Sequence, residues 1–88
     1  MFYVYILQSE KNAELYIGFT SDLKQRLQEH NHKLNFSTKK YMPWKLIYYE
    51  TCIEKSDAIR REQYLKTTQG CRLIKRRIKD YLYKSRKI

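Results

Sequence analysis

A small α/β domain, three strands covered by helices, is the fold class this sequence predicts. Two β-prone runs stand near the N-terminus and a third in the middle, each bounded by polar residues. Apolar residues at helical spacing follow the second run and again the third. The 88 residues are 42% hydrophobic, with only 2 Gly and 1 Pro. That is enough apolar surface for one core and leaves little chain for irregular structure. A second domain would have no core of its own, so residues 1–88 are expected to form a single domain ending in a basic segment, 72–88.

Phe2 to Leu7 is continuously apolar or aromatic and reads as a strand buried on both faces. The polar stretch Ser9 to Glu14 turns the chain, and Leu15 to Phe19 returns as a second strand in a hairpin. Ser21 reads as a helix N-cap with Asp22 in the first turn, where the helix dipole favours an acid. Leu23, Leu27, His30 and Leu34 then repeat at helical spacing, predicting a helix from Asp22 to Lys33. Asn35 to Met42 reads as a polar loop with room for a short helix. Pro43 opens a third strand, Trp44 to Glu50. Ser56 is the expected cap of a helix from Asp57 to Gln69, with Gly70 as its stop. A last helix, Arg72 to Lys84, places Ile74, Ile78 and Tyr81 on one stripe. The predicted order is β-β-α-β-α-α.

The formal net charge is +10, and residues 72–88 carry +7 of it, on Arg72, Lys75, Arg76, Arg77, Lys79, Lys84, Arg86 and Lys87 against Asp80. Such a field suits a polyanion, and nucleic acid is the first candidate; a solvated tail is the plain alternative, and an anionic membrane a weaker one. No apolar run is long enough to span a bilayer and no signal-peptide pattern opens the chain, which points to the cytoplasm. Cys52 and Cys71 have neither redox nor metal-ligand spacing and read as reduced, small hydrophobes.

Some residues are more than packing requires. If the hairpin pairs Leu7 with Tyr16, then Tyr5 faces Gly18, both tyrosines lie on one side of the sheet, and Gly18 leaves room beside Tyr5 for a substrate group. Arg26 and His30, four apart on the first helix, can hold a phosphate and exchange a proton; as structure alone, Arg26 would pair with Asp22 and His30 would be a satisfied core histidine. Glu62 falls on the apolar stripe with Ala58 and Leu65. A carboxylate there needs a metal or a cation such as Arg26 or Lys66. Lys39, Lys40 and Lys45 flank the third strand and can follow a phosphate backbone or simply face water. Aromatic hydroxyls, an arginine, a histidine and a carboxylate on a basic domain are parts that phosphodiester hydrolysis uses. The set lacks a Ser/His/Asp arrangement, a phosphate-binding Gly-rich loop and any zinc cluster.

Tyr3-Val4-Tyr5 followed by Tyr16-Ile17-Gly18 resembles the paired motif of the GIY-YIG nuclease superfamily. Arg26 and His30 stand where that family's helix carries Arg and His, and the segment around Glu62, Ala58 to Lys66, resembles its metal-binding glutamate segment. Pro43 to Glu50 is similar to the small single-domain bacterial branch. Tyr3 replaces the first glycine, a change that touches packing. The resemblance implies a three-stranded antiparallel sheet flanked by helices and a metal-dependent endonuclease acting on DNA in preference to RNA, structure-directed or weakly specific, in repair or recombination. It implies one Mg²⁺ or Mn²⁺ held by Glu62, with Tyr5, Tyr16, Arg26 and His30 as catalytic residues and either tyrosine as the base. Lys39, Lys40, Lys66, Arg76 and Arg77 are the candidate substrate-binding cations. Family nucleases usually carry a separate targeting domain. Without one, either substrate structure or a protein partner directs cleavage, or the chain is a non-catalytic nucleic-acid binding module of the same fold.

Overall fold

The computed structural model describes residues 1–32 and 38–85. Strands β1 (Phe2–Ser9), β2 (Leu15–Thr20) and β3 (Trp44–Cys52) form one antiparallel sheet in the order β2-β1-β3. Helices α1 (Leu23–Asn31), α2 (Lys55–Leu65), α3 (Thr68–Arg77) and α4 (Lys79–Ser85) surround it, with a 3-10 turn at Lys39–Tyr41. The three-stranded α/β class is as the sequence predicts. Leu7 pairs with Tyr16 and Tyr5 with Gly18, the register expected for the hairpin.

β1 is central and therefore apolar on both faces. On one face Val4 and Ile6 pack with Ala58 and Leu65 of α2 and Ile74 of α3. On the other, Tyr5 and Leu7 pack with Trp44, flanked by Leu23 and Leu27 of α1. Each fully buried Leu or Ile contributes about 2 kcal/mol, so the two clusters hold α1 and the α2–α3 pair to opposite faces.

A β-bulge sets which residues of β3 reach the second face. The β1–β3 register shifts between Ile6 and Leu7, pairing Ile6 with Tyr48 but Leu7 with Leu46. Side chains alternate along a strand, so the extra residue inverts the facing of everything N-terminal to it. Trp44 thereby pairs with Ser9 and joins the Tyr5 cluster. With no bulge, Lys45 would take that place.

Several boundaries differ from expectation. Asp22, not Ser21, caps α1: its Oδ1 accepts from Gln25 N at 3.0 Å, while Thr20 Oγ1 accepts from Asp22 N at 3.1 Å and fixes the turn. α1 ends at Asn31; residues 33–37, on which the end of the expected helix and the start of the expected loop fall, lie outside the described residues, as do Arg86 and Lys87. α2 begins at Lys55 with Glu54 at its cap position and no side-chain cap bond, so Ser56 is already helical. Gly70 is not a helix stop. It lies buried in the first turn of α3, capped by Thr67. A Cβ there would strike the Tyr64 carbonyl oxygen and sit 2.6 Å from Leu65 Cα, so glycine lets α3 approach α2. The last helix is divided at Ile78, whose N–H donates to Ile74 O. The Tyr81 hydroxyl then donates to Gln8 Oε1 at 2.6 Å, tying α4 to β1.

Beside Val4, β3 contributes Glu50. Arg61 of α2 donates to both its oxygens, at 2.9 and 3.0 Å, and the Tyr48 hydroxyl donates to Oε2 at 2.9 Å. These bonds, the Arg61 pair foremost, hold the Glu50 carboxyl below the usual carboxylate range. The fork fixes the rotation of α2 against the sheet, one residue before Glu62. Cys52 and Cys71 are free, as expected; Cys71 Sγ donates to Leu65 O.

Candidate active site

The site is built on the α1 face of the hairpin. Tyr5 and Tyr16 stand on neighbouring strands with ring centroids 6.3 Å apart. His30, from the last turn of α1, packs edge-on against both, at 5.8 Å from Tyr5 and 4.9 Å from Tyr16. The Tyr5 hydroxyl lies 2.9 Å from His30 Nε2, and His30 Nδ1 lies 2.7 Å from Thr38 Oγ1. Thr38 also accepts from Trp44 Nε1 through its carbonyl, at 2.8 Å. A buried chain of polar atoms thus runs from β1 through α1 to the start of β3.

Gly18 serves this chain directly. A Cβ at position 18 would collide with the Tyr5 hydroxyl. The space above Gly18 is therefore filled by the Tyr5 ring itself, which corrects the expectation that it is left for substrate. Tyr5 is 2% exposed and His30 0%. Burial pushes the Tyr5 hydroxyl well above the usual tyrosine range, reinforced by Tyr16, Glu29 and Glu62 and opposed by Arg26. Burial, then the Arg26 guanidinium, lowers His30 below its ordinary 6.5, with Glu29 opposing. At neutral pH Tyr5 keeps its proton and His30 is neutral, so either imidazole tautomer satisfies both hydrogen bonds.

Arg26 and Glu62 come from opposite layers. Arg26 is on α1 and Glu62 on α2, which cover different faces of the sheet, yet both act electrostatically on Tyr5. Arg26 pairs with Glu29 at 3.6 Å rather than with Asp22. The Glu62 side chain is 17% exposed and is held by Lys66 at 2.6 Å; Arg26 does not pair with it. Lys66 is itself exposed, so its ammonium can leave the carboxylate at little cost. Among the described residues no group of three or more His, Cys, Asp or Glu forms a ready metal cage. A single half-buried carboxylate does fit a magnesium-type ion, which commonly takes one or two protein carboxylates and completes its shell with water and substrate phosphate.

The remaining candidate cations are dispersed. Lys39 and Lys40 lie exposed on the 3-10 turn after Thr38, close to the tyrosine face. Arg76 and Arg77 end α3, on the opposite layer, where Arg77 acts on the Tyr48 hydroxyl. The structure thus brings together Tyr5, Tyr16 and His30, pairs Arg26 with Glu29 on α1 and Glu62 with Lys66 on α2, and sets Arg76 and Arg77 apart. Thr38 and Glu29 belong to the site and were missed. Thr38 sits in a polar stretch with no periodicity to mark it, and Glu29 is one of several charges on α1. Trp44, the one tryptophan of the chain, was a visible signal.

A family model described as the GIY-YIG catalytic domain matches residues 1–75. The chain belongs to the GIY-YIG family. This GIY-YIG chain is also similar to bacterial UPF0213 proteins. It is 40% identical over 67 residues to one from Clostridium perfringens, covering 75% of this chain and 71% of that protein. With one from Staphylococcus haemolyticus the identity is 39% over 66 residues, covering 74% and 79%. No solved structure matches the chain significantly. Tyr3-Val4-Tyr5 and Tyr16-Ile17-Gly18, the segments that resemble the family's paired motif, lie side by side in the hairpin of this GIY-YIG domain, with Tyr5 opposite Gly18. No helix among the described residues is long and apolar enough to cross a membrane.

The buried imidazole gives a pH signature. The unfolded chain's His30 takes up a proton near its ordinary value while the folded state resists it, so folding stability falls as pH drops below about 6.5. His30→Gln keeps an amide in the gap and removes the titration. Thermal unfolding between pH 7 and about pH 5.5 should show a smaller loss of Tm in His30→Gln than in the parent. Glu50, with its carboxyl held low, loses its contribution only at more acid pH, outside this window.

Proposed function

We infer that this GIY-YIG chain is a divalent-metal-dependent endonuclease that hydrolyses phosphodiester bonds, in DNA rather than RNA, directed by substrate structure or weakly specific. The observation that carries this reading is the packing of Tyr5, Tyr16 and His30 into one cluster, to which the helices add Arg26 on α1 and Glu62 on α2. Together they offer an anion-binding guanidinium, a carboxylate able to hold one Mg²⁺ or Mn²⁺, and two phenols with different surroundings. The ion, when bound, supplies positive charge that stabilises the leaving oxygen.

The two tyrosines divide the work. Tyr5 is buried and holds its proton, so it serves as a hydrogen-bond donor that positions the phosphate or the water. Tyr16 is only partly buried and borders an open cavity, which gives it access to the attacking water as general base. His30, neutral and enclosed, acts through Tyr5 as a positioning residue. Arg26 stabilises charge on the phosphoryl oxygens. Lys39 and Lys40 contact the flanking backbone, and Lys66 releases Glu62 to the ion and turns to phosphate.

A second reading has its own support. Arg72, Lys75, Arg76 and Lys79 lie on α3 and α4, in the layer away from the tyrosines. That charge suits a binding module that cleaves little, or one brought to its substrate by a protein partner. The deciding experiment incubates the protein with single-stranded, duplex, nicked, flapped and branched DNA and matching RNA, with Mg²⁺, Mn²⁺ or EDTA. Metal-dependent cutting of any substrate supports the nuclease. Salt-sensitive binding with no cutting on the whole panel supports the module.

A further inference from the structure

A cavity of about 300 Å³ opens beside Tyr16, lined by Asn12, Glu14, Leu15, Tyr16, Thr38, Tyr41 and Trp44. Its size is within the range of small-ligand sites. Three of the lining residues are aromatic, and the Tyr16 and Trp44 rings meet at a tilt of 60° with centroids 6.0 Å apart, forming two walls of a corner. The Trp44 indole N–H and the Thr38 carbonyl bond to each other, so neither polar atom asks the occupant for a partner.

The polar rim is more specific. Asn12 Oδ1 accepts from Glu14 N at 3.0 Å, which fixes the Asn12 amide and leaves its Nδ2 as a donor. The Glu14 carboxylate is exposed and makes no hydrogen bond or ion pair among the described residues. A free carboxylate at the mouth of a nucleic-acid site repels phosphate, so the cavity is not built for the backbone. It suits a flat, aromatic, neutral group that carries hydrogen-bond donors. Among the four nucleobases, guanine alone presents two adjacent donors, N1–H and N2–H, on its Watson–Crick edge, followed by the O6 acceptor. A carboxylate beside an amide donor complements that edge.

We propose that this cavity is a subsite for an unpaired guanine base next to the scissile phosphate. The base stacks among Tyr41, Trp44 and Tyr16, Glu14 accepts from N1–H and N2–H, and Asn12 donates to O6. Lys40, whose Nζ is 5.6 Å from the Tyr41 ring centroid, supplies a cation for the same nucleotide's phosphate. The inference rests on the nuclease reading for the meaning of Tyr16, and it adds that the preferred substrate offers an unstacked guanine, in a single strand or at a disrupted junction.

The test is a binding measurement that needs no cleavage. Fluorescence anisotropy with EDTA present compares labelled oligothymidylates carrying one central dG, deoxyinosine, dA or dC. Inosine lacks only the N2 amino group. The dG oligonucleotide should bind about tenfold more tightly than the inosine one, the size of effect one well-placed base contact gives. That ratio should fall to near one in Glu14→Gln, and Tyr41→Ala should weaken binding of all four. Equal affinities for the four bases, no binding at all, a dG preference that survives Glu14→Gln, or a Glu14-dependent preference for another base would each overturn the proposal. Cleavage without base preference would remove the subsite and leave the nuclease standing. A Glu14-dependent dG preference in a protein that cuts nothing would do the reverse.

Discussion

Tyr16→Phe should lower the cleavage rate about 10³-fold, within the range removed with a general base, while leaving Tm nearly unchanged. Its hydroxyl makes no hydrogen bond among the described residues, so deleting it orphans nothing. Tyr5→Phe should behave differently in two ways. It leaves His30 Nε2 without its partner in a buried site, which costs about 1–2 kcal/mol of stability. It also removes a donor rather than a base. Single-turnover rates and thermal unfolding of the two variants measure both differences. A larger loss of rate in Tyr5→Phe than in Tyr16→Phe would exchange their roles.

Gly18→Ala is expected to do more damage than a methyl group in a strand normally does. In an ordinary strand interior alanine is better than glycine by about 0.5–1 kcal/mol, because glycine loses more freedom on folding. Here the new Cβ meets the Tyr5 hydroxyl and ring, and the ring is held by the His30 hydrogen bond beneath α1. Overpacking of this kind costs about 1–3 kcal/mol, so the sign of the effect reverses. The ring can yield only by pulling its hydroxyl away from His30, and a misplacement of about 1 Å in a catalytic group costs about 10²-fold. Loss of stability in chemical denaturation together with a comparable loss of cleavage is the expected pair of results. A stabilised, fully active Gly18→Ala would mean that Tyr5 does not need its present position.

The hairpin was legible because two β-prone runs flank the polar stretch Ser9 to Glu14, but its register was expected only on the condition that Leu7 pairs with Tyr16, since β1 is apolar throughout and its pattern does not choose a face. The sequence also marked the residue types of the site, since Glu62 on an apolar stripe and Arg26 beside one are local anomalies. It did not show the bulge in β3, because either facing of Trp44 to Tyr49 buries enough apolar surface to be plausible. Yet that bulge brings Trp44, not Lys45, against Tyr16. Ser21, Ser56 and Gly70 misled because serine and glycine mark helix ends often. Beside Ser21 the adjacent Asp22 takes the cap, α2 starts ahead of Ser56 with no side-chain cap, and Gly70 is required by a neighbouring helix rather than by a turn. Thr38 was invisible because its role depends on where His30 arrives, a contact across the fold that no local pattern encodes.

The measurement that tests the central claim most directly is single-turnover cleavage by the parent and by Glu62→Gln across a titration of Mg²⁺, with Tm recorded for both. The glutamine keeps the size of the side chain and removes the charge that would hold the ion. The account predicts a rate at least about 10³-fold lower at limiting metal with an almost unchanged Tm, since the ion pair lost is with the exposed ammonium of Lys66 and the glutamine fills the same space. Cleavage that proceeds equally well in Glu62→Gln, with the same dependence on metal, would contradict it and place the reaction elsewhere on the protein.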